Sequence, residues 1–334
     1  MRNYRAAGAV AVAAAIAFAQ PVIYIAQEAN KAVDILAATR KAIGNKKLDD
    51  LKTFSVQAGL QRNVSNMQFN ADVELVLDLP DKYLRQETPL GSGMVMSGGG
   101  LSGFSGERTL QRLGAGSMPG GGMVIRMGGP GPVDGGQKLS PEQMEQMTKS
   151  LVRSSRGEAS RFMLGWFAMA HPASNAQYTY AGEAESPDGK AYVIDVKNAD
   201  NFTARLFIDQ QTNLPLMVTY KAAQPRVLGA GGPGLQVSTG GGGHVVRATE
   251  SREANDEERK KAREEAEKQI QELQKQPPVL ADYVIYFEDW RDAEGVKFPF
   301  RMRRATEGTT TEEWTVTRIK VNPKVDPKRF AGES

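Results

Sequence analysis

The C-terminal part of this 334-residue chain alternates apolar and polar side chains, and this pattern constrains the fold more than any other feature. Three alternating runs, at residues 283–287, 296–302 and 312–321, are separated by short turns that contain glycine. Alternation with period two is typical of strands that bury one face. We therefore predict an antiparallel meander that carries large apolar side chains on a single face.

The same alternation occurs in earlier stretches of the chain. Residues 54–60 and 67–77 predict two long strands, and four runs between residues 177 and 220 predict a second meander. A one-face pattern over so many strands favours an antiparallel sheet with one side in the core. We predict an α+β fold in which both halves of the chain form one strongly curved sheet.

Helical stretches are predicted to cover the apolar face of this sheet. Residues 29–43 carry an apolar stripe that ends at Gly44, a residue type common at helix C-termini. Residues 140–143 combine a capping serine, a proline and a glutamine in the order of a helix start. A second helix over residues 158–170 is expected to follow it. We place these helices on the concave face, because each amphipathic meander needs a cover.

The N-terminus has the pattern of a secretory signal peptide. Two arginines precede an uncharged apolar run at residues 6–19, which ends in Ala-Phe-Ala. We expect cleavage after Ala19, with Ala26 as an alternative, and a mature domain over residues 29–330. An uncleaved anchor is the other interpretation, but the Gln-Pro pair at residues 20–21 interrupts the apolar run.

The absence of cysteine and the small net charge restrict the cellular compartment and the binding partners that we expect for this chain. The chain has no cysteine, so it cannot carry the acyl group of a lipoprotein, and an exported chain without disulfides favours a bacterial periplasm. Loss of the signal peptide lowers the formal net charge from +3 to +1, too little for a nucleic-acid-binding protein. The basic group Arg301, Arg303 and Arg304 is interpreted as a solvated strand end, with a phosphate site as the alternative.

Three segments interrupt the pattern. Residues 91–136 and 229–243 are rich in glycine and are interpreted as an insertion and a loop. Residues 250–276 combine acidic and basic residues at helical spacing, which predicts a charged helical insertion. We expect all three segments to be dispensable for folding. The charged helix is either a solvated projection or an arm that docks a partner.

The sequence contains no convincing motif for catalysis. Residues 98–103 match the spacing of a dinucleotide-binding glycine motif, but no strand and helix flank them as the motif requires. The only histidines, His171 and His244, lie outside any recognisable metal or triad motif. We therefore predict no catalytic residue, no metal site and no cofactor, and rank an enzyme below a binding protein.

The apolar face itself is the remaining candidate site. A broad curved sheet with few covering helices can leave an apolar groove, and such grooves hold apolar ligands. The predicted groove residues are Phe54, Phe69, Val73, Phe162, Trp166, Tyr192, Leu216, Ile285, Phe287, Phe298, Phe300 and Trp314.

Several segments of the chain resemble the periplasmic carriers of the outer-membrane lipoprotein-sorting (Lol) type, with a LolA/LolB-like fold. They are the helix end at residues 42–44, Leu-Pro-Asp-Lys-Tyr-Leu-Arg at 79–85, the strand–turn–strand at 206–215, and the closing meander with Gly-Val-Lys-Phe-Pro at 295–299 and Val-Asn-Pro at 321–323. The likeness is diffuse, and no individual functional residue of the family is transferred from it.

The resemblance implies an unclosed β-barrel of about ten to eleven strands with helices on its concave side. It also implies a monomeric, non-catalytic periplasmic protein that shields the acyl chains of a lipid or lipoprotein in its groove. The alternative is an envelope sensor or interaction module that uses the same fold to contact an envelope protein and carries no lipid.

Overall fold

The structure is a computed structural model that describes residues 20–64, 67–90, 100–112, 124–127, 140–187, 189–224, 227–230, 236–240, 243–247, 277 and 279–331. The helices are α1 Gln20–Ile43, α2 Lys46–Asp49 and α3 Pro141–Phe167, and short 3-10 helices span Pro172–Ser174 and Pro327–Phe330. The predicted signal peptide and the predicted charged helix at 250–276 lie outside the described residues. No described helix combines the length and the apolar character that a membrane crossing requires.

Sixteen strands make up the rest of the described secondary structure. In chain order they are β1 Thr53–Val64, β2 Met67–Asp78, β3 Lys82–Leu90, β4 Leu101–Ser105, β5 Arg108–Arg112, β6 Val124–Met127, β7 Gln177–Ser186, β8 Gly189–Lys197, β9 Thr203–Asp209, β10 Pro215–Ala223, β11 Val227–Ala230, β12 Gln236–Gly240, β13 Gly243–Arg247, β14 Leu280–Ala293, β15 Val296–Thr306 and β16 Thr309–Val321.

Twelve of these strands form one sheet in the order β5-β4-β3-β2-β1-β16-β15-β14-β10-β9-β8-β7. Neighbouring strands in this sheet pair antiparallel, and β1 pairs with β16, so the two ends of the chain meet in its middle. The edge strands β5 and β7 do not pair with each other, and the barrel is unclosed. The predicted fold class is confirmed, with one or two strands more than expected.

The sheet curves around α3. Glu158 on this helix contacts Arg85 on β3, whereas Arg161, one turn later, contacts Tyr220 on β10. These strands lie in opposite halves of the sheet, so a single helix can touch both only if the sheet bends around it. The other long helix, α1, packs near the edge strand β7. There the Lys31 ammonium lies 3.9 Å from the ring centroid of Tyr180.

The two helices predicted over residues 140–170 are one continuous helix of 27 residues. The sequence suggested a break because Gly157 and its polar neighbours interrupt the apolar stripe. A glycine inside a helix costs only about 1 kcal/mol relative to alanine, and burial of the following aromatic residues against the sheet offsets that cost. Phe162, Trp166 and Phe167 are all fully buried.

The described parts of the glycine-rich segments contain strands. Strands β4 and β5, both inside the predicted insertion at 91–136, belong to the main sheet, and Phe104 on β4 is fully buried. Gly103 comes so close to β3 that an added Cβ would lie 2.1 Å from the Tyr83 carbonyl oxygen. Residues 101–105 form a strand of the main sheet, and this part of the segment contributes to the core.

The remaining strands of the glycine-rich segments pair with one another. Strands β6, β11, β12 and β13 form a second sheet of four strands, in the order β12-β13-β11-β6. β11 pairs parallel with both β6 and β13. The two glycine-rich segments, which are far apart in sequence, are thus linked by backbone hydrogen bonds.

Candidate functional site

Eight of the twelve predicted groove residues lie in one buried apolar cluster between the sheet and the helices. They are Phe54, Val73, Phe162, Trp166, Ile285, Phe287, Phe298 and Trp314. They come from β1, β2, α3, β14, β15 and β16, so strands from both halves of the chain meet on this face. The sequence pattern thus identified side chains that the fold brings together, and their role in binding a ligand stays a prediction.

Aromatic rings form the centre of this cluster. The centroid of the Trp166 ring lies 5.1 Å from that of Phe162, 5.3 Å from that of Phe298 and 6.2 Å from that of Phe54. The indole N–H of Trp166 also points at the Met302 sulfur, 3.2 Å away. Such tilted and stacked ring pairs add to the free energy gained from burial alone. The centre is therefore closed by packed rings in this conformation.

The other four predicted groove residues lie at the margins of the apolar cluster or outside it. Tyr192 and Phe300 are partly buried and pack against the cluster. Phe69 is 44% exposed and Leu216 is 41% exposed. Phe69 lies near the end of β2, paired with Arg62, beyond the apolar cluster. Leu216 lies at a register shift between β10 and β9, where the alternation of faces is interrupted.

A cavity of about 460 Å³ lies at one end of the apolar cluster. Its apolar wall includes Leu48, Leu51, Leu79 and Met169, and all four belong to the cluster or pack against it. Its volume is within the range of pockets that bind small molecules. The apolar core thus continues into an open space at this end of α3.

Arg40 connects the polar residues at the rim of the cavity through its side-chain contacts. Arg40, in the last turn of α1, donates a hydrogen bond to Asp49 at 2.9 Å and also contacts the Met169 sulfur at 3.0 Å. Lys52 is an exposed residue of the same lining. The Arg40 contacts join α1, α2 and the segment after α3 at the mouth of the cavity.

A group of six charged side chains closes the opposite end of the concave face. We call it the ion-pair network, and its members are Arg62, Arg85, Glu87, Glu158, Arg304 and Glu312. Three arginines and three glutamates balance each other. Arg85 pairs with both Glu87 and Glu158, and Glu312 accepts from Arg62 at 2.8 Å and lies 3.3 Å from Arg304.

Neutral donors and aromatic rings complete the ion-pair network. The Tyr83 hydroxyl donates to Glu158 at 3.2 Å, and the Trp314 indole N–H donates to Glu312 at 3.3 Å. The Arg85 guanidinium lies 4.8 Å from the Trp314 ring centroid. Buried charges require such compensation, because removing an ion from water without partners costs several kcal/mol.

The arginines of the ion-pair network lower the pKa of two of its carboxylates, Glu87 and Glu312. Burial alone would raise the pKa of Glu87, but the charges of Arg85 and Arg62 hold it below its usual value. Glu312 follows the same rule: burial opposes ionisation, and the charges of Arg304, Arg62 and Arg85 lower its pKa. Burial and the neighbouring Glu158 raise the pKa of Tyr83, so its hydroxyl stays a donor.

Arg304 corrects the interpretation of residues 301–304 as a solvated strand end. Its side chain is only 15% exposed, whereas the Arg301 side chain is 54% exposed. The sequence did contain a signal for this difference. Arg304 follows Met302 at the spacing of two that places side chains on one face of a strand, as Arg62 follows Leu60 on β1.

The described residues contain no group of three or more His, Cys, Asp or Glu side chains placed to hold a metal ion. The three glutamates of the ion-pair network pair with arginines instead. No protein-family model matches the chain, and no curated protein sequence matches it either.

Several solved structures have a backbone trace similar to that of this chain. One is a LolA superfamily protein from Nitrosomonas europaea, with 10% identity and a TM-score of 0.45, covering 90% of this chain and 96% of that one. Another is a putative outer membrane lipoprotein-sorting protein domain from Vibrio parahaemolyticus, with 8% identity and a TM-score of 0.40, covering 90% of this chain and 97% of that one.

The MucA/MucB complex of Pseudomonas aeruginosa matches more distantly, with 11% identity and a TM-score of 0.20, covering 88% of this chain and 100% of that one. All three TM-scores are below 0.5, so no function is taken from these likenesses. The unclosed antiparallel sheet with helices on its concave face is observed in this chain itself.

Proposed function

We propose that this chain is a periplasmic, non-catalytic protein that shields the acyl chains of a lipid or lipoprotein between the concave face of its sheet and α3. One observation carries the proposal: near the α3 C-terminus, beneath a polar rim, the cavity has an apolar wall of Leu48, Leu51, Leu79 and Met169, which belong to the apolar cluster or pack against it. An acyl chain entering there would meet these apolar side chains first.

The gain in free energy would come from burial of methylene groups. Each buried CH₂ contributes about 0.8 kcal/mol, so a chain of about ten methylenes gains about 8 kcal/mol before the costs of binding. Part of this gain must offset the separation of the packed rings around Trp166. The unclosed sheet favours such a change, because its edges β5 and β7 are not held together by hydrogen bonds.

The remaining parts of the proposal come from the sequence. The signal-peptide pattern at residues 1–19 supports export, and the absence of cysteine supports a soluble carrier that is not itself acylated. The balanced formal charge supports a partner other than nucleic acid. We propose a monomer, because one copy of the chain supplies both the sheet and the helix that covers it.

A neutral fluorescent acyl probe, N-dodecyl dansylamide, tests the proposal without involving charge. We expect the purified protein to bind it with increased dansyl emission. Met169→Trp should fill part of the cavity and weaken binding about tenfold or more, since it removes space that several methylenes would occupy. Lys52→Trp, at the exposed rim, should weaken binding less and keeps the test valid if Met169→Trp does not fold.

Val33→Trp is the matched control, because Val33 lies on α1 but is 62% exposed and not part of the cavity lining. It should leave probe binding unchanged. A wild-type protein that binds no probe, or equal binding by all variants, would contradict the carrier function.

The second candidate is an interaction module that contacts an envelope protein without carrying lipid. The edge strand β7 favours it, since in the described part of the chain β7 pairs only with β8. A free edge can accept a strand from a partner. This function would remain if the acyl probe does not bind.

A further inference from the structure

Arg161 on α3 is a cation that forms no ion pair with any residue that the structure describes. Its guanidinium lies 4.0 Å from the Tyr220 ring centroid and 5.4 Å from that of Phe202. Both terminal nitrogens lie close to Gly157, 3.6 Å from where a Cβ on that glycine would be. The side chain therefore folds back along the helix and lies against the ring of Tyr220 on β10 and that of Phe202, which precedes β9.

Among the described residues, Arg161 forms no ion pair with a carboxylate. Its Nε is buried and makes no hydrogen bond. The nearest carboxylate on the same helix, Glu158, is occupied by Arg85, Arg304 and the Tyr83 hydroxyl. Because the adjacent ion-pair network contains three arginines and three glutamates, Arg161 adds one positive charge in excess of the described carboxylates around it.

The surroundings make this charge costly. Burial lowers the pKa of Arg161, the positive charge of Arg304 acts in the same direction, and Tyr220, Glu158 and Tyr283 offset only part of this effect. A partly buried guanidinium with unused donors is destabilising unless an anion or a hydrogen-bond acceptor compensates it. The two aromatic rings on Arg161 supply only part of that compensation, because the attraction between a cation and a ring face is weaker than a charge-assisted hydrogen bond.

Arg161 is also accessible. Its side chain and those of Tyr220 and Tyr283 are only partly buried. The two tyrosine rings stack with their centroids 5.1 Å apart and their planes within 9°. They form a rigid wall beside the guanidinium, so a small ligand can approach its N–H groups without unfolding α3.

We propose that Arg161, with Arg304 beside it, binds a small oxyanion, the chemistry of a phosphate group, between α3 and the Tyr220–Tyr283 wall. A guanidinium presents N–H donors in a planar fork that matches two oxygens of such a group. One bound anion would balance the excess charge. The site lies at the end of the concave face opposite the cavity, so it does not depend on the proposed acyl-binding function.

Thermal unfolding in sodium phosphate and in sodium chloride of equal ionic strength tests the site. An anion that binds the folded state raises the melting temperature. We expect phosphate to raise that of the wild type and not that of Arg161→Met. Without phosphate, Arg161→Met should be as stable as the wild type or more stable, because it removes an uncompensated buried charge.

Arg156→Met is the matched control. Arg156 lies on the same helix and its guanidinium is 5.4 Å from the Phe104 ring centroid, but it pairs with Glu107. This variant should keep the wild-type response to phosphate. Arg161→Lys, which keeps the charge but loses the fork, should show a reduced response and serves if Arg161→Met does not fold.

Calorimetric titration with inorganic phosphate and with decyl phosphate identifies the source of the anion. Tight binding of decyl phosphate alone would indicate the headgroup of an amphiphile, and binding of both would indicate free phosphate. In either case Arg161→Met should weaken binding about tenfold or more. No binding of either compound, or equal binding by Arg161→Met, would overturn the proposal. Binding of the neutral probe N-dodecyl dansylamide tests the acyl-binding function in a separate experiment. Its outcome does not depend on whether Arg161 binds an anion.

Discussion

Gly165 on α3 faces the ring of Phe287 on β14 so closely that a Cβ on Gly165 would lie 1.9 Å from the ring Cζ. The helix can reach this depth only without a side chain at that position. Phe287 is 2% exposed and cannot swing away into solvent. This contact fixes the distance between α3 and the sheet, and therefore the width of the space in which an acyl chain would lie.

Gly165→Ala should lower the free energy of unfolding by about 1–3 kcal/mol, because the new methyl group forces the ring or the helix to move. This loss should occur although alanine favours helix by about 1 kcal/mol over glycine. Equilibrium denaturant unfolding measures it. Gly157→Ala is the control on the same helix: its Cβ would meet neighbours at 3.6 Å, an ordinary contact, so it should be neutral or stabilising. Equal effects of the two substitutions would mean that α3 is not pressed against β14.

Glu158→Gln should be strongly destabilising, by about 3 kcal/mol, because it leaves Arg85 and Arg304 partly uncompensated in a buried site. Chemical denaturation of the purified variant gives the value. Glu107→Gln provides the comparison, since Glu107 also pairs with an arginine but its side chain is 81% exposed. Exposed pairs contribute less than about 1 kcal/mol, so this variant should unfold nearly as the wild type. A small effect at Glu158 would show that the ion-pair network is more hydrated than its burial indicates.

The ion-pair network also shows where sequence analysis stops. Outside the glycine-rich segments, alternation correctly located the strands and most of the buried aromatic residues, because burial of one face imposes a period of two on a strand. Arg85 and Glu87 occupy core-facing positions of β3 after Tyr83, yet an isolated charged residue in a strand predicts solvent exposure. Their burial depends on partners from β1, α3, β15 and β16, and no local pattern encodes that proximity.

The continuity of α3 was missed for a related reason. Gly157 and the polar residues before it weaken the helical stripe, and only the tertiary contacts of the following turns compensate for this. Arg161, four residues after Gly157, shows the same dependence on context. In sequence it is one more charged residue of a helix, and only the fold places its guanidinium over Gly157 and against Tyr220.

His171 should make stability depend on pH between about pH 7 and pH 4. It is 1% exposed and packs edge-on against Phe104, at 5.1 Å between ring centroids. Burial lowers its pKa from 6.5 to about 4, so the unfolded chain takes up a proton before the folded one does. Its contribution is therefore complete above pH 6.5 and is lost as pH falls toward 4, a change of about 3 kcal/mol.

The measurement is the free energy of unfolding of the wild type and of His171→Gln at about pH 7, 5.5 and 4. The carboxylates of the ion-pair network act equally in both proteins, so the difference between the two curves isolates His171. That difference should shrink as pH falls. Parallel curves over this range would show that His171 keeps an ordinary pKa in the folded protein.

Trp166→Ala separates a packed core from a space that can receive an acyl chain. The side chain is fully buried among the rings of Phe54, Phe162 and Phe298, so truncation should cost about 3–5 kcal/mol. If an acyl chain must displace this ring, the variant should bind N-dodecyl dansylamide more tightly than the wild type, because that cost has already been removed. Fluorescence titration at a temperature where both proteins are folded gives the affinities.

Phe104→Ala is the control for Trp166→Ala, since Phe104 is equally buried but lies on β4, outside the eight buried groove residues. Any truncated core can admit an apolar molecule into the space it creates. An equal gain in affinity for both variants would therefore indicate nonspecific filling of a new cavity. A gain confined to Trp166→Ala, together with measurable binding by the wild type, would place the acyl chain along α3. A large loss of stability with no probe binding by the wild type would mean that the core is permanently closed, and the carrier function should then be abandoned.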